Sequence, residues 1–266
     1  MKTISQDELK TIQLSLLDSY VSVCEKNGLR YYLDYGTLLG CIRHKGFIPW
    51  DDDIDVSMPR SDYKKLVKLF ERNDLIFGKN IKLAYVGGKY DVNKAYLNLI
   101  DNRTITESIA RESKYQYPVW IDIFPMDLST GSCSTIIVYK IVHFLCSLAL
   151  FPMCKKTNGS PWILPKRIIK PFLKPFISNL LQLSDLLVVY QRKGKRITMF
   201  YHPYDVIRIS EDCDFYNRAT TGIFEGKRYR IPANYDERLR RIYGNYNILP
   251  PVERQIPHTI KAYWKE

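Results

Sequence analysis

Between Gly46 and Val56 the chain reads Gly-Phe-Ile-Pro-Trp-Asp-Asp-Asp-Ile-Asp-Val, so four carboxylates (Asp51, Asp52, Asp53 and Asp55) fall within five positions. Carboxylates that close repel one another and weaken a fold unless a cation sits among them. On a strand Asp53 and Asp55 share a face, because side chains alternate with period two. Two carboxylates about 7 Å apart along one face suit a hard cation. Oxygen-only ligation points to Mg2+, with Mn2+ as the alternative. A third carboxylate from a neighbouring strand would complete the set. Asp122, inside Trp120-Ile121-Asp122-Ile123-Phe124, has apolar neighbours on both sides and reads as that strand carboxylate, with Asp127 in reserve. An acidic surface loop is the alternative for 51–55, but such loops seldom interleave Ile and Val with the acids.

The elements that must hold these residues follow from periodicity. Ser5-Gln6-Asp7-Glu8 has capping-box spacing, and Leu9, Ile12, Leu16, Tyr20 and Val23 continue at helical period until Gly28. Leu29 to Tyr35 reads as a strand, and Leu38 to Ile42 as a short helix starting at Gly36-Thr37. Asp53 to Val56 is the next strand, closed by Pro59, and Ser61 caps a helix to about Glu71. Further strands are expected over Ile81 to Val86, Ala95 to Ile100 and Val119 to Phe124. Residues 134–200 read as mostly helical, and Tyr235 to Tyr243 as a last helix ending at Gly244. The expectation is an α/β (α+β) fold with a mixed sheet. It divides into a catalytic core over 1–131, a helical basic and apolar insert over 132–210, and a C-terminal part over 211–266 that completes the core.

The Gly36-Thr37 turn into a helix offers backbone N–H groups to a phosphate. A Gly-Ser or similar turn ahead of an Asp-x-Asp strand resembles the layout of the nucleotidyltransferase fold. Arg43, His44 and Lys45 lie between the turn and the acids and would neutralise a diphosphate, unless they are a solvated loop.

Composition sets the outer limits. With 266 residues and 45% hydrophobic content the chain is long and apolar enough for a sizeable core, which excludes a mostly disordered protein. No short apolar leader follows Met1, which argues against secretion. Six scattered cysteines (24, 41, 133, 146, 154 and 213) form no CxxC pair and read as reduced thiols of an intracellular protein. The net charge is +12, yet residues 1–60 hold seven basic and nine acidic residues, while 132–210 hold twelve basic and two acidic. That segment is also the most apolar. Ile136 to Met153 and Ile177 to Tyr190 are apolar runs flanked by Lys155-Lys156 and by Arg192-Lys193-Gly194-Lys195-Arg196. Such a segment reads first as a buried helical subdomain with solvated basic ends. Docking on an anionic membrane face is the main alternative and a true membrane span the third, Ile136 to Met153 being marginal in length and interrupted by Lys140 and His143. No helix-turn-helix, RRM or zinc-finger pattern accompanies the charge, so nucleic acid is not the expected partner, and no protein partner is predicted.

Tyr32-Leu33-Asp34-Tyr35-Gly36-Thr37-Leu38-Leu39-Gly40, continued by Arg43-His44-Lys45-Gly46-Phe47-Ile48-Pro49-Trp50-Asp51-Asp52-Asp53-Ile54-Asp55, resembles the LicD family. That family includes bacterial phosphorylcholine transferases and, more distantly, the fukutin-related ribitol-phosphate transferases. The resemblance continues at Asp122-Ile123-Phe124-Pro125-Met126-Asp127, Phe224-Glu225-Gly226, Ile231-Pro232, Tyr235-Asp236, Tyr243-Gly244 and Leu249-Pro250-Pro251. It implies a metal-dependent transferase with a nucleotidyltransferase-like core. Such an enzyme moves phosphorylcholine, or a related alcohol phosphate, from a CDP-linked donor such as CDP-choline to a glycan or glycolipid hydroxyl and releases CMP. Teichoic acid, lipopolysaccharide and capsule are the acceptors considered.

By match of motif, Asp53, Asp55 and Asp122 would hold the metal and do the catalytic work, and Gly36, Thr37, Arg43, His44 and Lys45 would bind the donor phosphates. Asp51, Asp52, Asp127, Arg254 and His258 are left with supporting or acceptor roles, and Lys227, Arg228 and Arg230 form a basic patch. Tyr31, Tyr32, Tyr35 and Trp50 are the nearby aromatics that a choline cage could use. The implied location is cytoplasmic, peripheral on the inner face of the cytoplasmic membrane. Two other readings compete: a nucleotidylyltransferase that releases pyrophosphate, and a membrane-surface binding protein with a vestigial metal site.

Overall fold

A computed structural model describes residues 1–90, 96–108, 117–129, 196–198, 211–212, 218–256 and 260–265, with the single positions 137, 141 and 176. The fold is α+β. Strand β1 (Lys2–Ile4) leads into helix α1 (Gln6–Lys26), whose start is fixed by the predicted capping box: Glu8 N donates to Ser5 Oγ at 3.2 Å and Ser5 N to Glu8 Oε2 at 2.9 Å. Its periodic residues Leu9, Ile12, Leu16, Tyr20 and Val23 are all buried. Strand β2 (Tyr32–Leu33) is shorter than the aromatic run suggests, because Asp34 already caps the next helix, α2 (Tyr35–Arg43). That helix starts earlier than Gly36-Thr37, so both residues lie inside its first turn. Strand β3 (Asp55–Pro59) runs directly into α3 (Arg60–Arg72). The residue at the head of α3 is Pro59, and no side chain caps it there, so Ser61 is not the cap.

Strands β4 (Ile81–Ala84), β5 (Leu97–Ser108) and β6 (Tyr117–Ser129) follow. Beyond them come β7 (Arg196–Thr198), β8 (Glu211–Asp212), β9 (Ala219–Phe224), β10 (Lys227–Pro232), helix α4 (Tyr235–Tyr243), a 3-10 turn (Val252–Arg254) and β11 (Ile260–Trp264). The main sheet runs β1-β11-β5-β6-β3-β2, with β4 beside the first half of β5 and β7 extending the end of β6. Only the β3–β6 pairing is parallel among the described strands. Arg196–Thr198 is strand rather than helix. The rest of the expected helical insert, with its two apolar runs, falls outside the described residues apart from positions 137, 141 and 176. Among the described residues no helix is long and apolar enough to cross a membrane.

Alternation gives the sheet two unlike faces. Val56, Met58, Leu97, Leu99, Val119, Ile121 and Ile123 join α1 in the main core. Cys24 and Cys41 are free thiols within that core, and burial pushes them up to about 12 and about 11 respectively. The opposite face carries Asp55, Asn98 and Asp122, with an aromatic group of Tyr32, Tyr35, Tyr96 and Phe124 beside them.

Candidate active site

The parallel β3–β6 ladder sets Asp55 directly beside Asp122, and the antiparallel β5–β6 ladder sets Asn98 on the other side of Asp122. Three polar side chains therefore stand in one row across three central strands. Asn98 Nδ2 donates a short hydrogen bond to Asp122 Oδ1, while the buried Asn98 Oδ1 has no hydrogen-bond partner. Asp53 lies two residues ahead of β3, off the ladder. The period-two alternation nevertheless reaches back to Asp51: Asp51, Asp53 and Asp55 are half-buried, whereas Asp52, Ile54 and Val56 are buried. Burial, then the charges of Asp53, Asp122, Asp51 and Asp34, pushes Asp55 well above the usual carboxylate range. Asp51 is raised as well, chiefly by burial. Asp52 points away from this group. Its carbonyl accepts from Gln13 Nε2 at 2.6 Å and its Oδ2 from Ile260 N at 3.4 Å, which ties the acidic segment to α1 and β11.

The first turn of α2 holds the backbone of Asp55 from both sides. Asp34 N donates to Asp55 O at 3.0 Å, and Asp55 N donates to Thr37 Oγ1 at 2.8 Å. The Thr37 hydroxyl is thus committed to β3. Gly36 lies so close to the acidic segment that a Cβ there would sit 2.5 Å from Asp51 Oδ2. Arg43, His44 and Lys45 are at the other end of α2, about 13 Å along its axis. Arg43 Nη1 donates to Tyr246 O at 2.8 Å, and Lys45 Nζ to Ile42 O at 3.2 Å. Burial, then Arg43, lowers the His44 pKa, and its ring meets Trp50 edge-on at 6.2 Å. The five expected phosphate-binding residues therefore divide between two ends of one helix.

Several other expectations find different surroundings. Asp127 is fully buried and gripped by Arg60 in a two-pronged ion pair of 2.6 and 2.7 Å, on the sheet face opposite Asp122. Arg254 is exposed on the 3-10 turn, and His258 lies outside the described residues. Tyr31 packs edge-on to Tyr20 in the core, whereas Tyr32 and Tyr35 belong to the aromatic group on the carboxylate face. Lys227 pairs with Asp18 at 2.6 Å, Arg230 lies over the Tyr32 ring at 6.0 Å, and Arg228 is exposed.

Sequence reasoning missed Asn98, Arg238 and Tyr243. Asn98 sits in an apolar strand run, Leu97-Asn-Leu-Ile, where a lone polar residue was the available signal. Arg238 is buried against Asp34, Nε to Oδ1 at 2.5 Å, although α4 reads as an exposed charged helix. Tyr243 keeps 41% of its surface, yet its phenol is pushed up by burial and then by the charges of Asp55, Asp51 and Asp34. Ile242, in the same last turn of α4, packs against the Tyr32, Tyr35, Phe124 and Met126 group on the carboxylate face.

Asp51, Asp53 and Asp122 bring carboxylate charge to bear on Asp55, and the buried Asn98 Oδ1, which has no hydrogen-bond partner, is a further oxygen beside Asp122. This chemistry fits a hard divalent cation. As the side chains stand, no group of three or more carboxylates, histidines or cysteines among the described residues is disposed to hold an ion.

The sequence that builds these elements is similar to that of proteins of known name. The family model for the LicD/FKTN/FKRP nucleotidyltransferase domain matches residues 28–155, from the turn before β2 to beyond β6. Lipopolysaccharide cholinephosphotransferase LicD of Haemophilus influenzae is 30% identical over 287 aligned positions, covering 98% of each chain. The ribitol 5-phosphate transferase FKRP of Homo sapiens and that of Mus musculus are each 48% identical over 42 residues, 16% of this chain and 8% of theirs. Because the likeness to the Haemophilus protein reaches 30% identity and covers 98% of both chains, this chain belongs to the LicD family.

Proposed function

We propose that the protein is a Mg2+-dependent phosphotransferase. It moves phosphorylcholine, or a related alcohol phosphate, from a CDP-linked donor to a hydroxyl of a cell-surface glycan and releases CMP. One observation carries the reading: Asp55 and Asp122 stand side by side on a parallel ladder, with Asp51 and Asp53 turned to the same side. Asp53, Asp55 and Asp122 are assigned to the cation, which when bound would offset charge on the donor diphosphate and on departing CMP. One carboxylate of this group is assigned to take the proton of the acceptor hydroxyl, and Asp51, half-buried beside them, to a supporting role in positioning that acceptor. Asn98 orients Asp122 through its amide. The proposed location is the cytoplasmic side of the membrane, where a nucleotide-linked donor meets a glycolipid acceptor.

The test is CMP release from CDP-choline, CDP-ribitol, CDP-glycerol and CDP-ethanolamine in turn, with Mg2+ and an envelope glycan acceptor. Asp53→Ala and Asp55→Ala proteins run in parallel. Release with one donor that disappears in both variants supports the proposal and identifies the transferred group. Pyrophosphate from a nucleoside triphosphate, with no CMP from any donor, would replace it with nucleotidylyl transfer.

A further inference from the structure

A guanidinium with 1% of its side chain exposed, paired with a carboxylate at 0%, is a costly arrangement. Apolar side chains of similar volume often serve stability as well as a buried ion pair does, or better. Its placement is therefore informative. Arg238 Nε meets Asp34 Oδ1 at 2.5 Å, and the Arg238 guanidinium lies 5.3 Å from the centre of the Tyr35 ring. These two partners form the entry to α2. Asp34 caps the helix by accepting from Tyr35 N at 2.8 Å, and Tyr35 is held at a φ of 44°, a left-handed conformation that an aromatic residue adopts only when its surroundings enforce it. The same short segment brackets Asp55: its carbonyl accepts from Asp34 N, and its N–H donates to Thr37 Oγ1. At the far end of α2, Arg43 holds Tyr246 O just past α4, so the two helices are fastened at both ends.

We infer that Arg238 is the positioning residue for Asp55, acting through Asp34 and the strained first turn of α2. It touches neither donor nor acceptor. Its guanidinium fixes the Asp34 carboxylate by charge and the Tyr35 ring by stacking, and these fix the backbone from which the Asp55 side chain projects. The C-terminal helix thereby sets the geometry of a carboxylate far away in sequence. The inference rests on Asp55 being a working carboxylate of the site, and its test separates the two ideas.

Two variants are informative. Arg238→Met combined with Asp34→Asn removes both charges at once, while the amide side chain introduced by the second change can still cap α2. Arg238→Lys keeps the charge and loses the planar fork. Amide hydrogen exchange would be followed over residues 34–38 and 54–57, with α1 as the internal reference, in the protein without added ligand. The double variant is expected to exchange about tenfold faster in both segments while α1 is unchanged. Its kcat for CMP release should fall between about tenfold and a hundredfold, with a smaller change in KM for the donor. Arg238→Lys should fall between the double variant and the parent, and it carries the same comparison if the double variant proves insoluble.

Unchanged exchange at 54–57 would overturn the inference, as would a rise spread equally over α1. If the parent protein releases no CMP from any donor but the local exchange effect persists, the proposed function fails and the link from Arg238 to Asp55 stands.

Discussion

Asp55 works against the fold that carries it. A carboxyl whose folded-state pKa is raised costs stability as pH climbs from the ordinary carboxylate range through the raised value, because the folded state then binds more protons than the unfolded one. Burial and the charges of Asp53, Asp122, Asp51 and Asp34 place Asp55 in that position. Asp55→Asn should therefore melt higher than the parent at pH 7 in the absence of divalent cation, and the gap should shrink as pH is lowered toward 4. Added Mg2+ should raise the parent and not the variant, closing the gap at pH 7. Calorimetric scans over that pH range check both; a parent as stable as Asp55→Asn at pH 7 without cation would count against the electrostatic picture. Asp127 behaves in the opposite way. Its charge is matched by Arg60 inside the protein, so Asp127→Asn leaves a buried guanidinium short of its partner and should cost about 3–5 kcal/mol in denaturant unfolding. The acidic alternation of 51–56 was legible in the sequence because it is local and has a period. Neither the Arg60–Asp127 nor the Arg238–Asp34 pair has a period, and both join positions that only the tertiary fold brings together.

The elements were legible where termination signals are local. The helix Tyr235–Tyr243 stops at Gly244 as expected, and α1 starts at its capping box. The β9–β10 hairpin escaped detection because its strands mix exposed Thr, Lys and Arg with few apolar positions. The signal was the turn: Glu225 and Gly226, with φ of 47° and 75°, form a two-residue loop of the kind that joins tight hairpins. The boundary of α2 was misplaced because Asp34 was read as strand when it is the cap.

That helix also explains two glycines. The segment after Lys45 runs back along α2, bringing Gly46 to Gly40 and Asp51 to Gly36. A Cβ on Gly40 would meet the Gly46 carbonyl at 2.4 Å, a backbone atom with little room to move, whereas one on Gly36 would meet the Asp51 carboxylate. Gly40→Ala is thus expected to cost about 1–3 kcal/mol of stability. Gly36→Ala should unfold within about 1 kcal/mol of the parent and lose activity by displacing Asp51. Chemical denaturation with CMP-release assays on the two variants checks the contrast, and equal stability losses would refute it.

At the scale of the molecule the chain is closed by its own end. Strand β11 lies between β1 and β5, and the β9–β10 hairpin docks on α1 through Lys227–Asp18 and Tyr229–Asp18. Among the described residues, β11 is thus part of the main sheet, and Phe224, Tyr229, Ile231, Leu239 and Ala262 are part of the same core as α1. The segment between them leaves and re-enters at one place: Ser129 is the ladder partner of Arg196, and Asp127 that of Thr198. Ladder partners in an antiparallel pair are about 5 Å apart, a span that two turn residues bridge in an ordinary hairpin.

Replacing residues 130–195 with Asn-Gly should then leave a soluble protein with the near-UV circular dichroism of its core and a cooperative melt. The same replacement removes the apolar runs and most of the basic surplus of 132–210. If that segment is the membrane-facing part, the shortened protein should lose sedimentation with vesicles containing anionic phosphatidylglycerol, while the full chain retains it in a salt-dependent way. It should also still release CMP from a soluble glycan acceptor. Loss of folding on replacement would instead show that the segment supplies part of the core, and undiminished vesicle binding would move the membrane contact onto the sheet-bearing part of the chain.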